Sequence, residues 1–321
     1  MISPLQFNPI LKSIRWGGTR LGTVLGKPIG AATDCAESWE VVDHGNDQSI
    51  VTRGPFAGWS LNRLVKEQGR ALLGRHADSR QFPLLIKFLD AQDRLSVQVH
   101  PNDEQAAKYV PGENGKTEAW VVIDAERDSR LYAGLKQGID RAELRRHVEA
   151  GTVSQCLHSF RVGAGDCVSI PAGTVHAIGE GVLLAEVQQS SDLTFRLDDW
   201  GRVGADGRPR ELHIAQALEC VDFERGPVDP VVPRPDAETN IEELVRTDCF
   251  VMRRYRGPLS TLVAGDATSH ILMSLAGRAA VTTGDETTPI CLGDSLLIAA
   301  EWKQFDLVLE EGACVLEATL P

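Results

Sequence analysis

Long hydrophobic runs are the first feature that the sequence lacks. No stretch approaches the roughly 18 consecutive apolar residues of a membrane-spanning helix, and residues 1–18 contain no uninterrupted apolar segment of the secretory kind. We therefore expect a cytoplasmic protein without a membrane partner. The 42% hydrophobic and 24% charged residues are ordinary globular values, which excludes a disordered or fibrous chain, and 321 residues suffice for about two domains.

Positive charge is also scarce, because 33 lysines and arginines face 45 acidic residues and give a net charge of −12. Such a protein has no general attraction for nucleic acid, so an anionic substrate must be bound by a few locally placed cations. Paired cysteines are missing as well. The seven cysteines form no Cys-x-x-Cys motif, and this odd, scattered set predicts reduced thiols rather than a disulfide framework.

Three common nucleotide-binding and hydrolase motifs are absent. Gly115-Lys116-Thr117 is not a phosphate loop, because Val110 rather than glycine stands five positions before Gly115. The sequence contains neither a G-x-S-x-G nucleophile elbow nor a G-x-G-x-x-G dinucleotide motif. The chemistry must therefore depend on other residues.

Short apolar runs interrupted by glycine and proline dominate residues 151–200 and the last 85 residues, which is typical of all-β structure. Helical spacing is confined to residues 61–76, 103–109, 140–150 and 211–223. Four prolines within residues 226–237 predict a stiff, extended linker. The sequence thus predicts a mainly β protein with domains at residues 1–225 and 226–321.

The two β-rich stretches align as an internal repeat. Gly165-Asp166 followed by an apolar strand and His176 matches Gly293-Asp294 followed by an apolar strand and Gln304. We expect a duplication in which the second copy has lost the histidine position and serves as scaffold.

Residues 165–176 follow the pattern G-x5-P-x-G-x2-H. This segment resembles the second signature of the cupin superfamily, except that Glu180 stands where the signature ends in asparagine. Glycine and proline favour a tight turn between two strands, and His176 would then point into a barrel mouth. A buried, neutral imidazole at that position is a potential metal ligand.

Further candidate ligands occur as strand pairs. Gln98 and His100 share one strand face, as do Lys116 and Glu118, because side chains alternate with a period of two. Gln98, His100, Glu118 and His176 together offer two nitrogens and two oxygens, a set suited to zinc with room for water or substrate. Each residue alone is more often structural, so the site requires support from the fold.

That support comes from a family resemblance. The segments FPLLIKFLDAQDRLSVQVHPND, GKTEAW, GDCVSIPAGTVHAI and EVQQSSDLTFRLDDWGR occur in this order, with IRWGG and ESWEV before them and LHIAQAL after them. Together they resemble type I mannose-6-phosphate isomerase in its short bacterial form. The resemblance covers residues 10–225 well and the remainder weakly.

The resemblance implies cupin-type (jelly-roll) β-barrels, two in tandem, with helical insertions. It also implies an enzyme that interconverts mannose 6-phosphate and fructose 6-phosphate through an enediol, with one zinc ion per chain and a phosphosugar substrate. The family's zinc ligands fall on Gln98, His100, Glu118 and His176.

The family's basic active-site residues fall on Lys87, Lys116 and Arg196, and its phosphate-contacting serine falls on Ser96. We expect Lys116 and Arg196 to be catalytic. We expect Ser96, Lys87 and Arg202 to bind phosphate, with Arg202 replacing a lysine that some members carry after the arginine.

Several alternatives remain open at the level of sequence. Lys116, a water on the zinc beside Glu118, and Asp198 are all candidates for the group that moves the proton. His100, His176 and Glu118 also match the two-histidine, one-carboxylate set of an Fe(II) oxygenase, and a non-catalytic sugar-phosphate-binding protein could keep the fold. The oligomeric state has no sequence signature, and we expect a monomer.

Overall fold

The computed structural model describes residues 1–203, 207–235, 240–264 and 266–321. The helices are α1 Arg20–Thr23, α2 Leu61–Leu73, α3 Asp103–Tyr109, α4 Arg141–Glu149 and α5 Ile214–Cys220, with 3₁₀ turns at Gly74–His76 and Val153–Gln155. The first strands are β1 Ile10–Gly18, β2 Cys35–Val41, β3 Asp43–His44, β4 Asp47–Gln48, β5 Leu84–Ala91, β6 Val97–Val99, β7 Glu118–Ala125, β8 Arg130–Leu135, β9 Leu157–Arg161, β10 Cys167–Ile170, β11 His176–Ile178, β12 Val182–Gln189 and β13 Phe195–Asp198. The later strands are β14 Arg234–Pro235, β15 Ile241–Arg246, β16 Val251–Arg256, β17 Leu259–Ala264, β18 His270–Ala276, β19 Arg278–Thr283, β20 Glu286–Cys291, β21 Ser295–Ile298, β22 Gln304–Leu309 and β23 Cys314–Thr319.

The chain packs into two compact units. Unit 1 contains residues 1–13, 19–88 and 232–321, and unit 2 contains residues 14–18 and 89–231. In unit 1 the backbone groups of Leu5 and Leu297 exchange two hydrogen bonds of 2.9 Å, and the carbonyl of Leu72 accepts from the Ala300 amide at 2.9 Å. Residues near the N-terminus therefore pack with the C-terminal strands. The domain boundaries predicted from the sequence, 1–225 and 226–321, stay a prediction.

Unit 2 contains a cupin-type barrel of antiparallel strands. In one sheet β12, β7 and β10 are neighbours in that order, and the other sheet has the order β13-β6-β11-β8-β9. In β6, Val97 and Val99 belong to one buried apolar cluster with Leu144 of α4 and Leu218 of α5. Because side chains alternate along a strand, Gln98 lies on the opposite face of β6.

Unit 1 contains the second barrel, with strand orders β14-β15-β16-β23-β18-β21 and β17-β22-β19-β20. The order β23-β18-β21 repeats β12-β7-β10 of the first barrel, and β17-β22-β19-β20 repeats β6-β11-β8-β9. The predicted mainly β fold with two tandem cupin-type barrels and helical insertions is confirmed.

The Gly-Asp pairs of the internal repeat form the same turn in both barrels. Gly165 has φ 93° and Gly293 has φ 84°, conformations that favour glycine because a Cβ would be strained there. The side chains of Asp166 and Asp294 each accept a hydrogen bond from the backbone amide three residues earlier, at 2.9 and 2.8 Å. The two turns then lead directly into β10 and β21, as the repeat predicts.

The two longest helices, α2 and α4, each begin at a polar side chain that caps them. Ser60 accepts from the Arg63 amide at the start of α2, and Asp140 accepts from the Glu143 amide at the start of α4. The predicted helix over residues 61–76 ends at Leu73, because Gly74 adopts a positive φ of 60° and the chain tightens into a 3₁₀ turn. Within the described residues, no helix is both long and apolar enough to cross a membrane.

Candidate active site

Three buried side chains of unit 2 converge on one point. Glu118 begins β7, His176 begins β11, and His100 directly follows β6; each is 1% exposed. The Glu118 carboxylate lies 3.5 Å from His100 Nε2 through Oε2 and 3.3 Å from His176 Nε2 through Oε1. The potential ligand atoms of the three residues all lie within 4.8 Å of one another.

The hydrogen bonds of the two imidazoles fix their tautomers. His100 Nδ1 lies 2.9 Å from the Leu193 carbonyl, and His176 Nδ1 lies 2.9 Å from the Thr174 carbonyl. A carbonyl only accepts, so each Nδ1 carries the proton and each Nε2 directs a lone pair toward Glu118. Burial lowers the pKa of His176 to about 4, which keeps that ring neutral. Two neutral imidazole nitrogens and a carboxylate form a donor set that fits a divalent metal ion.

Gln98 extends this donor set from the neighbouring strand. Gln98 and His176 are directly opposite each other in β6 and β11, and their Nε2 atoms are 3.3 Å apart. The Ser96 hydroxyl donates to Gln98 Oε1 at 3.2 Å. Rotating the amide by 180° exchanges its oxygen and nitrogen, and the Ser96 hydroxyl can hydrogen-bond to either atom. Ser96 therefore satisfies the Gln98 amide in either orientation, including the one that turns its oxygen toward His176.

Lys116 places a buried positive charge at the edge of the cluster. Its Nζ donates to the Glu118 carboxylate and lies 3.1 Å from His100 Nε2. Because an ammonium group only donates, this contact agrees with an accepting Nε2 on His100. Lys116 Nζ also lies 3.6 Å from Glu186 Oε1, so two carboxylates surround it.

Glu186 is a site residue that the sequence reasoning missed. It lies in β12, is 3% exposed, and its Oε2 accepts from Trp120 Nε1 at 3.1 Å. The available signal is a single carboxylate inside the otherwise apolar run VLLAEV. A charged residue in such a strand rarely stays buried unless it has a partner, and Lys116 is that partner.

Arg196 shares a face with the cluster. It lies opposite Gln98 in β13 and β6, so its side chain leaves the sheet on the same side as Gln98 and His176. Its Nη1 donates to the Glu211 carbonyl at 2.8 Å. Its Nε is buried and has no hydrogen-bond partner among the described residues. Arg196 thus keeps a donor that a bound anion can use.

Arg202 is committed to other protein groups. Its guanidinium contacts Asp93 Oδ2 at 3.0 Å and Asp199 Oδ1 at 2.5 Å, and it also donates to the carbonyls of Arg94 and Asp199. Phosphate binding by Arg202 stays a prediction. It requires a phosphate oxygen to replace one of these protein acceptors.

Lys87 belongs to unit 1, where it is 5% exposed. Its Nζ lies 3.4 Å from Glu37 Oε2 and 5.7 Å from the centre of the Trp39 ring. The phosphate role of Lys87 likewise stays a prediction.

Comparison with known proteins assigns the chain to a family. Residues 5–133 match the model of the phosphomannose isomerase type I catalytic domain. The chain is 35% identical to mannose-6-phosphate isomerase ManA of Bacillus subtilis over 95% of both chains, and 36% identical to mannose-6-phosphate isomerase of Streptococcus mutans over 97% of both. The crystal structure of the mannose 6-phosphate isomerase from Bacillus subtilis covers 99% of both chains at 30% identity, with a TM-score of 0.89. The chain belongs to the type I phosphomannose isomerase family.

Proposed function

We propose that this protein is a zinc-dependent aldose–ketose isomerase that interconverts mannose 6-phosphate and fructose 6-phosphate through an enediol. The observation that carries the proposal is the buried cluster of His100, Glu118 and His176 in a chain of this family. A phosphosugar is the partner that this function requires. A cytoplasmic location and a monomeric state stay predictions.

The proposed zinc ligands are His100, His176, Glu118 and the amide oxygen of Gln98. Two imidazole nitrogens with two oxygens match the donor types that zinc takes in proteins. The backbone carbonyls behind the two histidines hold both rings with Nε2 toward the cluster. Zinc bound there would act as a Lewis acid on the oxygens of the open-chain sugar.

The basic residues of the site suit the charge that the reaction develops. Moving a proton between C2 and C1 places negative charge on the sugar oxygens. The ammonium of Lys116 is already buried, desolvated and held by Glu118 and Glu186, so little reorganisation is needed when that charge forms. Arg196 can donate its unused Nε–H and suits planar contact with an enediolate or a phosphate.

Phosphate binding is assigned to Ser96, Lys87 and Arg202. Because the protein has a net charge of −12, the local cations Lys87 and Arg202 must provide the attraction for a dianionic group. Arg202 is the most restrained of them, since Asp93 and Asp199 already neutralise its charge.

Glu186→Gln is expected to lower kcat while leaving metal content unchanged. The substitution preserves shape and the contact with Trp120, but it removes one of the two negative charges beside Lys116. We expect a loss of roughly tenfold in kcat with little change in KM, because positioning rather than substrate contact is affected. The exposed Glu180, in the same unit, is the matched control as Glu180→Gln. Wild-type kcat in Glu186→Gln would contradict this role.

Deuterium exchange tests the proposed reaction. In D2O, repeated passage through an enediol should place deuterium on C2 of mannose 6-phosphate and C1 of fructose 6-phosphate, which NMR can follow as the mixture equilibrates. Equilibration of the two sugars without any deuterium uptake over many turnovers would instead show that the hydrogen passes directly between C2 and C1 without exchange with solvent. Failure to interconvert them at all would remove the substrate assignment.

A further inference from the structure

The second barrel places a histidine at the position of a proposed metal ligand. In the first barrel Glu118 of β7 pairs with Ile170, four residues beyond the aspartate of the Gly-Asp turn. In the second barrel His270 of β18 pairs with Ile298, four residues beyond the aspartate of the equivalent turn. His270 therefore occupies the strand position of Glu118.

The other ligand positions follow from the same registers. Gln98 pairs with the first residue of β11, and Ala264 pairs with the first residue of β22. His100 lies two residues beyond Gln98, and Asp266 lies two residues beyond Ala264. The counterparts of His100 and Glu118 are Asp266 and His270. Gln304 does not share their face, because the neighbouring Phe305 is the β22 residue whose ring contacts His270, and side chains alternate along the strand. The repeat has lost the histidine of β22 but has acquired one in β18.

His270 is held as a metal-binding imidazole would be. Its Nδ1 donates to Glu317 Oε1 at 2.7 Å, so the lone pair of the neutral ring lies on Nε2. A carboxylate behind the distal ring nitrogen is the usual arrangement for a metal-ligating histidine. Glu317 is itself fixed by the Tyr255 hydroxyl at 2.9 Å and by Arg253 at 3.3 Å.

The accepting nitrogen of His270 faces a carboxylate. The residue is 1% exposed, and its Nε2 has no hydrogen-bond partner among the described residues. Asp266 Oδ1 lies 3.8 Å from this Nε2, whereas two ligands of a tetrahedral zinc ion are about 3.4 Å apart. The Asp266 side chain is 47% exposed, and its Oδ2 lies 3.9 Å from Arg75. A small rotation of the Asp266 side chain can therefore shorten its distance to His270 Nε2 to that of two zinc ligands.

A neutral side chain replaces the lysine of the first site. Thr268 lies two residues before His270, as Lys116 lies two residues before Glu118. The Thr268 hydroxyl is buried and has no hydrogen-bond partner among the described residues. No ammonium group therefore competes for His270 at this position, and two buried polar atoms there lack partners that an ion with its waters would supply.

We propose that the second barrel binds a second divalent transition-metal ion through His270 and Asp266, with water completing the coordination. The site has one imidazole instead of two, and Asp266 is exposed, so it binds zinc more weakly than the first site. Its donors of nitrogen and oxygen type are those that zinc accepts.

Zinc titration of the metal-stripped full-length protein tests this proposal, with calorimetry for affinity and elemental analysis for stoichiometry. We expect one tight equivalent and a second that is at least about tenfold weaker. Asp266→Asn and His270→Gln should each abolish or weaken the second equivalent by at least about tenfold, while the first equivalent and the isomerase activity stay unchanged. His176→Gln should lose the tight equivalent and keep the weak one.

The controls separate this site from other zinc-binding groups. Asp248→Asn changes an exposed aspartate of the same unit that has no counterpart among the ligand positions, and it should bind both equivalents. Asp266 is exposed, so Asp266→Asn remains informative if His270→Gln fails to fold. A single equivalent in the wild type at saturating zinc would overturn the proposal. So would a second equivalent that survives Asp266→Asn unchanged, since that zinc would be bound elsewhere, for example at the exposed Cys291.

Discussion

Glu118→Gln is expected to lower kcat/KM for mannose 6-phosphate by roughly 10³-fold or more and to weaken zinc binding. Glu118 contacts both imidazoles and Lys116, and it is the only anionic member of the proposed ligand set. The isosteric amide keeps the shape of the side chain but removes its charge. Steady-state kinetics and elemental analysis on the same preparation measure both effects.

The matched control is Glu180→Gln, an identical change at an exposed position of the same unit, which should keep wild-type kinetics and metal content. Thermal unfolding of both variants separates a damaged site from a damaged fold. A Glu118→Gln protein that retains full zinc content and most of its activity would show that the cluster does not hold the functional metal.

Arg196→Ala is expected to lower kcat by roughly 10²- to 10³-fold, the usual loss for one preorganised electrostatic contact. The guanidinium shares a strand face with Gln98 and His176, and its buried Nε–H has no acceptor among the described residues. Zinc content should not change, because Arg196 is not a proposed ligand. Kinetics at saturating substrate, together with metal analysis, measure this combination.

Arg210→Ala provides the control for loss of a nearby cation. Arg210 is exposed and lies 3.8 Å from Asp199, so its removal changes local charge without removing a donor that faces the cluster. It should retain nearly all of the wild-type kcat. Full activity in Arg196→Ala would remove Arg196 from the reaction and leave Lys116 as the proposed catalytic cation.

Part of the site could be predicted from local sequence, and part could not. Alternation along one strand is enough to place Gln98 and His100 on the same face. The approach of Glu118 and His176 to them depends on pairing among strands that are distant in sequence, and only the family resemblance indicated it. Glu186 was missed for the same reason, since its partner Lys116 lies 70 residues earlier.

The environment of Arg202 shows a similar limit. The position of Arg202 after Arg196 suggested a phosphate-binding cation. In the structure its guanidinium donates to Asp93, which lies 109 residues earlier in the sequence, and to the neighbouring Asp199. A pattern of residue types cannot show whether a cation is already neutralised. The fold class was easier to predict from the sequence, because strand alternation, turn glycines and the Gly-Asp repeat are all local signals.

The division of the chain illustrates the same distinction. The proline-rich segment at residues 226–237 indicated where a second β region begins. No local pattern indicates that residues 1–13 and 19–88 pack with residues 232–321, because that packing depends on long-range contacts such as the pairing of Leu5 with Leu297.

The most direct test of the central claim is a coupled assay that follows fructose 6-phosphate formation from mannose 6-phosphate before chelation, after chelation and after zinc is added back. We expect turnover that chelation abolishes and zinc restores, and Glu118→Gln should not regain activity at the same zinc concentration. A folded, zinc-loaded protein that does not convert mannose 6-phosphate, or one whose turnover survives complete removal of the metal, would contradict the claim.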